Sequence, residues 1–547
     1  MASTSRIPKL AASDVEAAEK LAGVRYRKSE REQIARSFAT QLDRTLAQRK
    51  VELGNALAPA CVFDPCLPGT RLPLRARFRR STARAGKLPA DENDIAFAPV
   101  TSLGRWLARR EISSLELTKL YLARLNRFDG RLEAVVTLME ESALAQARRA
   151  DRELARGHGR GPLHGIPWGA KDLLDTKGVK TTWGAAPYAD RMPTSDARVV
   201  ELLDRAGAVL IAKLSLGALA YGEVWHGGMT RNPWNLDEGS SGSSAGSAAT
   251  VAAGCAGFAI GSETLGSILS PADRCGVVGL RPTFGRVPRT GAMALCWSLD
   301  KLGPIARGVE DTALVLDALS SFDARDPGSA KVPFAFDGRA AAEGAVVGYD
   351  PAWFDGPVGS EADRAALGAL KRAGIKLKRI KLPDLPYDSL ETILFAEAAA
   401  AFEDLTLSGR DRELPEQKDI SWPNEFRKAR FISAVDLIQA DRLRRKVMEA
   451  MSKVMAQVDA LIAPADGTPL LTVTNCTGHP ALAVPTGFAP RENDSYRPAV
   501  VPSPTSKTLP HVTVLWGRLY EDGRLIELGM ALERALGLGV LRPPLFA

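Results

Sequence analysis

An α/β fold is predicted by two features of this 547-residue sequence. Its composition, 45% hydrophobic and 25% charged, is that of an ordinary globular chain able to bury an extensive core. Along it, helix-spaced apolar patterns alternate with short β-branched runs, as expected where helices are layered on a sheet. The length is about three times that of a common domain, which allows one large α/β domain with additions or several domains.

Taken in order, residues 1–10 contain no apolar segment of the kind that opens a secretory leader. Residues 14–22 and 29–51 read as helices. The second carries Ile34, Phe38, Leu42 and Leu46 on one face, and Ser29 followed by Glu32 resembles a capping box. Pro59, Pro65, Pro68, Pro73 and Pro89 then punctuate an irregular basic segment, a linker or a wrap onto the main body. The boundary is placed near residue 90, which gives a helical N-terminal extension with a basic linker over 1–90 and a main domain over 91–547. Within the latter, residues 115–128 and 140–156 have helical spacing, Val209-Leu210-Ile211 and Val346-Val347-Gly348-Tyr349 read as strands, and 391–457 is mainly helical.

The formal charge of +8 is unevenly placed, since the first 90 residues hold 18 Lys and Arg against 8 Asp and Glu. The run Arg71, Arg75, Arg77, Arg79, Arg80 has no aromatic recognition motif interleaved with it, so it reads as a solvated face and no nucleic-acid partner is expected. Six cysteines and five histidines show neither CxxC nor HxxxH spacing, and no metal or other cofactor is expected. Cys61 and Cys66 could pair only in an oxidising compartment. The longest small-apolar stretch, 245–260, is too short and too rich in Gly and Ala to span a bilayer, so the chain is read as cytoplasmic and soluble, with no membrane partner.

The residues that carry chemistry lie in three stretches. Residues 239–249 and 264–272 are crowded with Gly, Ser and Ala, which lets backbone N–H groups approach a reacting group and hold a developing oxyanion. Taken alone, they equally suit a small-residue loop leading into a tightly packed helix. Upstream, Lys171 follows an apolar run between turn residues, where burial could strip its proton near neutral pH and make it a base; the plainer reading is a surface lysine paired with Asp172 or Asp175. Gly242-Ser243-Ser244-Ala245-Gly246 also fits the GxSxG nucleophile elbow, with Ser244 as nucleophile and His479 or His511 as base. An elbow needs a strand running into it, and residues 235–242 read as loop-forming.

Together these stretches resemble the amidase signature family. Gly165-Ile166-Pro167 through Lys171-Asp172 match its lysine motif, and Ser243 and Ser267, 24 residues apart, match its two serine loops. The likeness runs from about Ser102 to the C-terminus and includes Gly279-Leu280-Arg281-Pro282-Thr283-Phe284-Gly285-Arg286 and Gly478-His479-Pro480. It implies an α/β amidase signature fold, a mixed central β-sheet flanked by helices. It further implies Ser267 as nucleophile, Ser243 as bridging serine, Lys171 as base, a cis peptide before Ser243, and an oxyanion hole from the N–H groups of Thr264, Leu265, Gly266 and Ser267. The implied reaction is hydrolysis of a carboxamide, or a related carbamate or ester, through an acyl-enzyme. The expected partner is that small-molecule substrate, with a homodimer left open.

Departures from the family pattern are Leu265 for Gly, Glu263 for Asp, Ala245 for Gly and Leu269 for Arg. Leu265 is expected to keep an ordinary backbone angle and to present its side chain to the acyl group as a steric wall. His164, His226 and His479 are read as structural. Trp168, Trp225 and Trp297 are read as core, with an apolar acyl pocket as the other use for them. Three other functions remain: the A-type subunit of a tRNA-dependent amidotransferase, a Ser-His-Asp esterase using Ser244, and a catalytically silent binding protein on the same scaffold.

Overall fold

The computed structural model describes residues 10–83, 85–356, 358–491 and 507–547, so the reading of the first nine residues lies outside the described ones. Its centre is an eleven-stranded mixed sheet. From one edge to the other the strands are Lys376–Arg379, Val346–Tyr349, Ala460–Pro464, Lys507–Gly517, Ala481–Arg491, Val278–Arg281, Lys301–Ala306, Phe258–Glu263, Pro167–Lys171, Val209–Leu214 and Val135–Leu138. Pro167–Lys171 lies parallel to both Phe258–Glu263 and Val209–Leu214, whereas the strands from Phe258–Glu263 across to Ala460–Pro464 pair antiparallel. The central parallel strands are covered on both faces, which is why Val209–Leu214 reads as an almost unbroken apolar run and is buried throughout.

Helices flank this sheet. Ser114–Leu132 starts at a capping box in which the Glu116 N–H donates to Ser113 Oγ (3.0 Å) and the Ser113 N–H to Glu116 Oε2 (2.8 Å). Its buried residues Leu117, Tyr121, Leu125, Phe128 and Leu132 recur at helical spacing and face the core. The expected helix over 140–156 is Glu140–Ala155, and 391–457 holds Glu391–Ala401, Glu403–Ser408, Trp422–Ala429 and Ala434–Met455.

The N-terminal extension begins with two helices, Ala12–Ala22 and Lys28–Gln48, tied by Arg31, whose Nε and Nη2 each donate to Glu19 at 2.7 Å. The cap, one-sided because arginine has no acceptor, falls two residues before the expected Ser29–Glu32 pair. The Arg27 N–H donates to Glu30 Oε2 at 2.6 Å, which leaves Ser29 inside the first turn. No residue of the second helix is fully buried, so the stripe of Ile34, Phe38 and Leu42 is only half covered. The basic segment is not wholly irregular either. Arg77–Arg79 pairs in parallel with Ala335–Asp337, and Asp337 receives Arg77 Nη2 at 2.6 Å while both arginine side chains stay largely in solvent. An acidic partner distant in sequence makes a strand of what reads locally as a charged linker.

Candidate active site

Three loops at neighbouring strand ends converge on one amine. Lys171 closes the strand Pro167–Lys171, Ser243 and Ser244 precede the helix Ala245–Ala252, and Ser262 is the last residue but one of the strand Phe258–Glu263, near the loop that carries Ser267. Lys171 Nζ lies within hydrogen-bonding distance of three hydroxyls, 2.8 Å from Ser243 Oγ, 2.9 Å from Ser262 Oγ and 3.0 Å from Ser244 Oγ. The peptide Gly242–Ser243 is cis, as the resemblance implies.

Lys171 is completely buried. Burial penalises its charged form and drives its pKa well below the ordinary lysine value, outweighing the opposing pull of Asp300 and Glu263. The surface-lysine reading does not hold. Asp172 is spent on Lys213 (3.0 Å) and on the N–H and hydroxyl of Thr182 (2.7 Å each), and Asp175 is spent on Arg191. A neutral amine has two N–H groups and one lone pair. The Ser244 hydroxyl donates to the Ser262 carbonyl at 3.1 Å, so towards Lys171 it can only accept, which leaves the lone pair to a proton from Ser243 or Ser262.

Two glycines make the convergence possible. A Cβ on Gly261 would stand 2.7 Å from Ser244 Oγ, so only glycine lets that serine lie against the strand. In the loop that carries Ser267, Gly266 takes φ +90°, while Leu265 before it keeps an ordinary angle, as expected. The Ser244 N–H donates to the Ser267 carbonyl at 3.1 Å and joins the two serine loops. Ser267 itself is half-buried, whereas Ser243 is 1% exposed.

The loop is held from below by Glu263, which is buried. Its Oε2 accepts the N–H groups of Ile268 (2.9 Å) and Leu269 (3.0 Å), and its Oε1 accepts Arg281 Nη1 (2.8 Å) and Asn475 Nδ2 (3.0 Å). Thr264 Oγ1 donates to Asp300 Oδ1 at 2.6 Å. Beside Ser262, Thr264 and Asp300 opens a cavity of about 140 Å³ with mainly apolar walls, Trp297 among them.

A family model described as Amidase matches residues 116–491. The chain belongs to the amidase signature family. Among its amidase-signature relatives, the A-type subunit of glutamyl-tRNA(Gln) amidotransferase from Carboxydothermus hydrogenoformans is 31% identical over 80% of this chain and 96% of its own length. The protein of the same name from Moorella thermoacetica is 40% identical over 56% of this chain and 65% of its own length. Among solved amidases, the peptide amidase of Stenotrophomonas maltophilia aligns with a TM-score of 0.69 and 29% identity, over 82% of this chain and 98% of its own. The α/β amidase signature fold expected from sequence is therefore the fold of this chain.

In that fold Lys171, Ser243, Thr264, Gly266 and Ser267 lie together at the strand ends. Leu265, like Ser267, is not among the residues that line the cavity, and its side chain packs half-buried against the core. Trp297 lines the cavity, whereas Trp168 stacks on Phe258 in the core and Trp225 donates to the Glu133 carbonyl at 3.2 Å. The histidines bond elsewhere: His226 Nε2 meets Thr182 Oγ1, His479 Nδ1 meets Thr477 Oγ1, and His164 Nδ1 accepts from the Arg160 N–H. The residues expected to form a loop before the serines form a short strand, Asn235–Gly239, paired with Arg231–Asn232 outside the central sheet. Ser262 and Asp300 escaped the sequence reading. The one available signal was that Ser262 lies just beyond the Phe258–Ile260 segment that pairs with the lysine's strand. All six cysteines, Cys61 and Cys66 included, are free thiols. Among the described residues no helix is long and apolar enough to cross a membrane.

Proposed function

We propose that the chain is an amidohydrolase that cleaves a carboxamide through an acyl-enzyme on Ser267, with Ser243 and Lys171 as proton relay. The observation that carries this reading is a fully buried lysine amine, unpaired with any carboxylate among the described residues, 2.8 Å from the Ser243 hydroxyl. A serine hydroxyl alone is a weak nucleophile and needs a base to take its proton during attack. Lys171 takes the Ser243 proton as Ser243 takes that of Ser267, and Ser267 Oγ forms a bond to the carbonyl carbon. The carbonyl oxygen becomes an oxyanion. Glu263 occupies the N–H groups of Ile268 and Leu269, and the Gly266 carbonyl that of Ser270, so the earlier N–H groups of Thr264, Leu265, Gly266 and Ser267 are the ones left to receive it. Collapse breaks the C–N bond, the relay returns the proton to the leaving amine, and water hydrolyses the ester on Ser267. Carbamates and esters suit the same relay.

The amidotransferase reading has the names of the 31–40% identical relatives in its favour. It calls for binding the polar amino and carboxylate groups of glutamine; the cavity beside Thr264 is lined by Arg289, Asp300, Arg325 and Asp326 as well as by apolar residues, but Arg289, Asp300 and Asp326 are engaged within the protein, which supports hydrolysis of an apolar amide instead. The test is a panel of chromogenic amides, carbamates and esters alongside glutamine, with and without chelator. Turnover of apolar amides, unchanged by chelator, is expected. Turnover of glutamine alone would favour the transferase, and a folded protein that turns over nothing would favour the silent scaffold.

A further inference from the structure

The N-terminal extension reaches the cavity. Ala56 and Ala58 line it together with Thr264, although both lie far outside residues 116–491 that match the family model. They are held there by Asn55, whose Nδ2 donates to the carbonyls of Ala294 (2.8 Å) and Ala401 (3.2 Å) while its Oδ1 accepts the Ala294 N–H (2.9 Å). The Asn55 carbonyl accepts Trp297 Nε1 at 3.2 Å. On the downstream side Phe63 is pinned, with the Arg444 guanidinium 3.3 Å above its ring and Phe284 at its edge.

The loop that Asn55 grips also reaches the chemistry. Asp300 Oδ2 accepts the N–H groups of Leu295 (2.8 Å) and Cys296 (3.0 Å), and its other oxygen accepts the Thr264 hydroxyl. The wall of the cavity and the loop proposed to hold the oxyanion therefore share one framework, and residues 55–58 are its outer member.

We propose that residues 55–58 are a wall of the substrate cavity and that, facing Trp297, they restrict the acyl group of the substrate to one compact apolar unit, a single aromatic ring or a short branched chain. This rests on the amidohydrolase reading above. The size limit is argued from scale: the cavity measures about 140 Å³, comparable with the volume of about 150 Å³ that accommodates one benzene ring in an enclosed apolar cavity. Two alanines are the smallest side chains that still close a wall, so any larger residue at 56 or 58 takes its volume from the substrate. Asn55 is a positioning residue. It touches the loop and not the space the substrate would fill.

The experiment compares the wild type with Ala56→Leu, Ala56→Trp, Ala58→Leu and Asn55→Ala on two series of anilide-type amides, one graded in acyl size and one in amine size. In the Ala56 and Ala58 variants kcat/KM for a benzoyl substrate is expected to fall about tenfold or more relative to the acetyl one. Asn55→Ala is expected to relax the limit, raising larger acyl groups relative to benzoyl. A parallel arm measures binding of a fluorinated benzamide by fluorine NMR to the same variants in a Ser267→Ala background, where no turnover is needed, and circular dichroism checks folding. Loss of benzamide binding in the Ala56 and Ala58 variants supports the wall even if no amide is hydrolysed, which would count against the amidohydrolase reading alone. Unchanged binding and an unchanged acyl-size ratio, or a size limit that tracks the amine series, would overturn the inference.

Discussion

The carboxylate of Glu263 and the guanidinium of Arg281 meet at 2.8 Å with neither side chain exposed. Burial alone would raise the Glu263 pKa, but Arg281 and Lys301 outweigh it and hold the carboxyl below its usual range. The folded-state pKa is thus depressed, so this stabilisation is present above the unfolded carboxyl value and is lost as pH falls through the folded one, an effect confined to strongly acidic solution. Glu263→Gln leaves Arg281 buried without its counter-charge and is expected to cost about 3–5 kcal/mol of stability. Chemical denaturation measures it. A loss within experimental scatter would mean that Arg281 finds another partner. Glu263→Asp, which keeps the charge, is expected to retain activity.

Lys171→Ala is expected to lower hydrolysis by a factor of about 10² to 10⁴, the usual worth of a general base. The pH profile carries a separate sign. Burial depresses the Lys171 pKa well below the ordinary lysine value, which favours the neutral, proton-accepting amine, and kcat/KM is expected to fall as acid protonates it. A profile flat across that limb, or an active Lys171→Ala enzyme, would remove Lys171 from the mechanism.

Ser244 lies next to Ser243 but is committed to the backbone. Its hydroxyl donates to the Ser262 carbonyl and accepts the Ser262 N–H, both at 3.1 Å, and it is wholly buried. Ser244→Ala is expected to destabilise the protein by about 1–3 kcal/mol, the cost of leaving those groups unpaired. Serine-directed labelling should remain, and its abolition in a folded Ser244→Ala protein would revive the Ser-His-Asp esterase.

Leu265→Gly tests the departure from the family pattern that faces the core. The side chain packs half-buried and does not line the cavity. The substitution is expected to lower stability through lost packing and added backbone freedom, and to leave the ratio of long-acyl to short-acyl kcat/KM unchanged. A raised ratio would put Leu265 against the substrate after all.

The lysine and the two serines were legible because each sits in a local motif whose spacing survives folding. Ser262, Asp300 and Asn55 were not, since each owes its place to packing between segments distant in sequence: Asn55 meets Ala294, and Asp300 meets Thr264. The same reason explains the misread strands. Asn235–Gly239 is poor in β-formers and takes its conformation from pairing with Arg231–Asn232, and Arg77–Arg79 owes its strand to Asp337. A strand buried on both faces, such as Val209–Leu214, was legible because burial there dictates an apolar run.

The most direct measurement is the site of covalent labelling by a serine-directed fluorophosphonate, read by peptide mapping and repeated on Ser267→Ala. A single adduct on Ser267, absent from a folded Ser267→Ala protein together with all turnover, is the expected result. An adduct on Ser244, or undiminished hydrolysis by Ser267→Ala, would contradict the acyl-enzyme on Ser267.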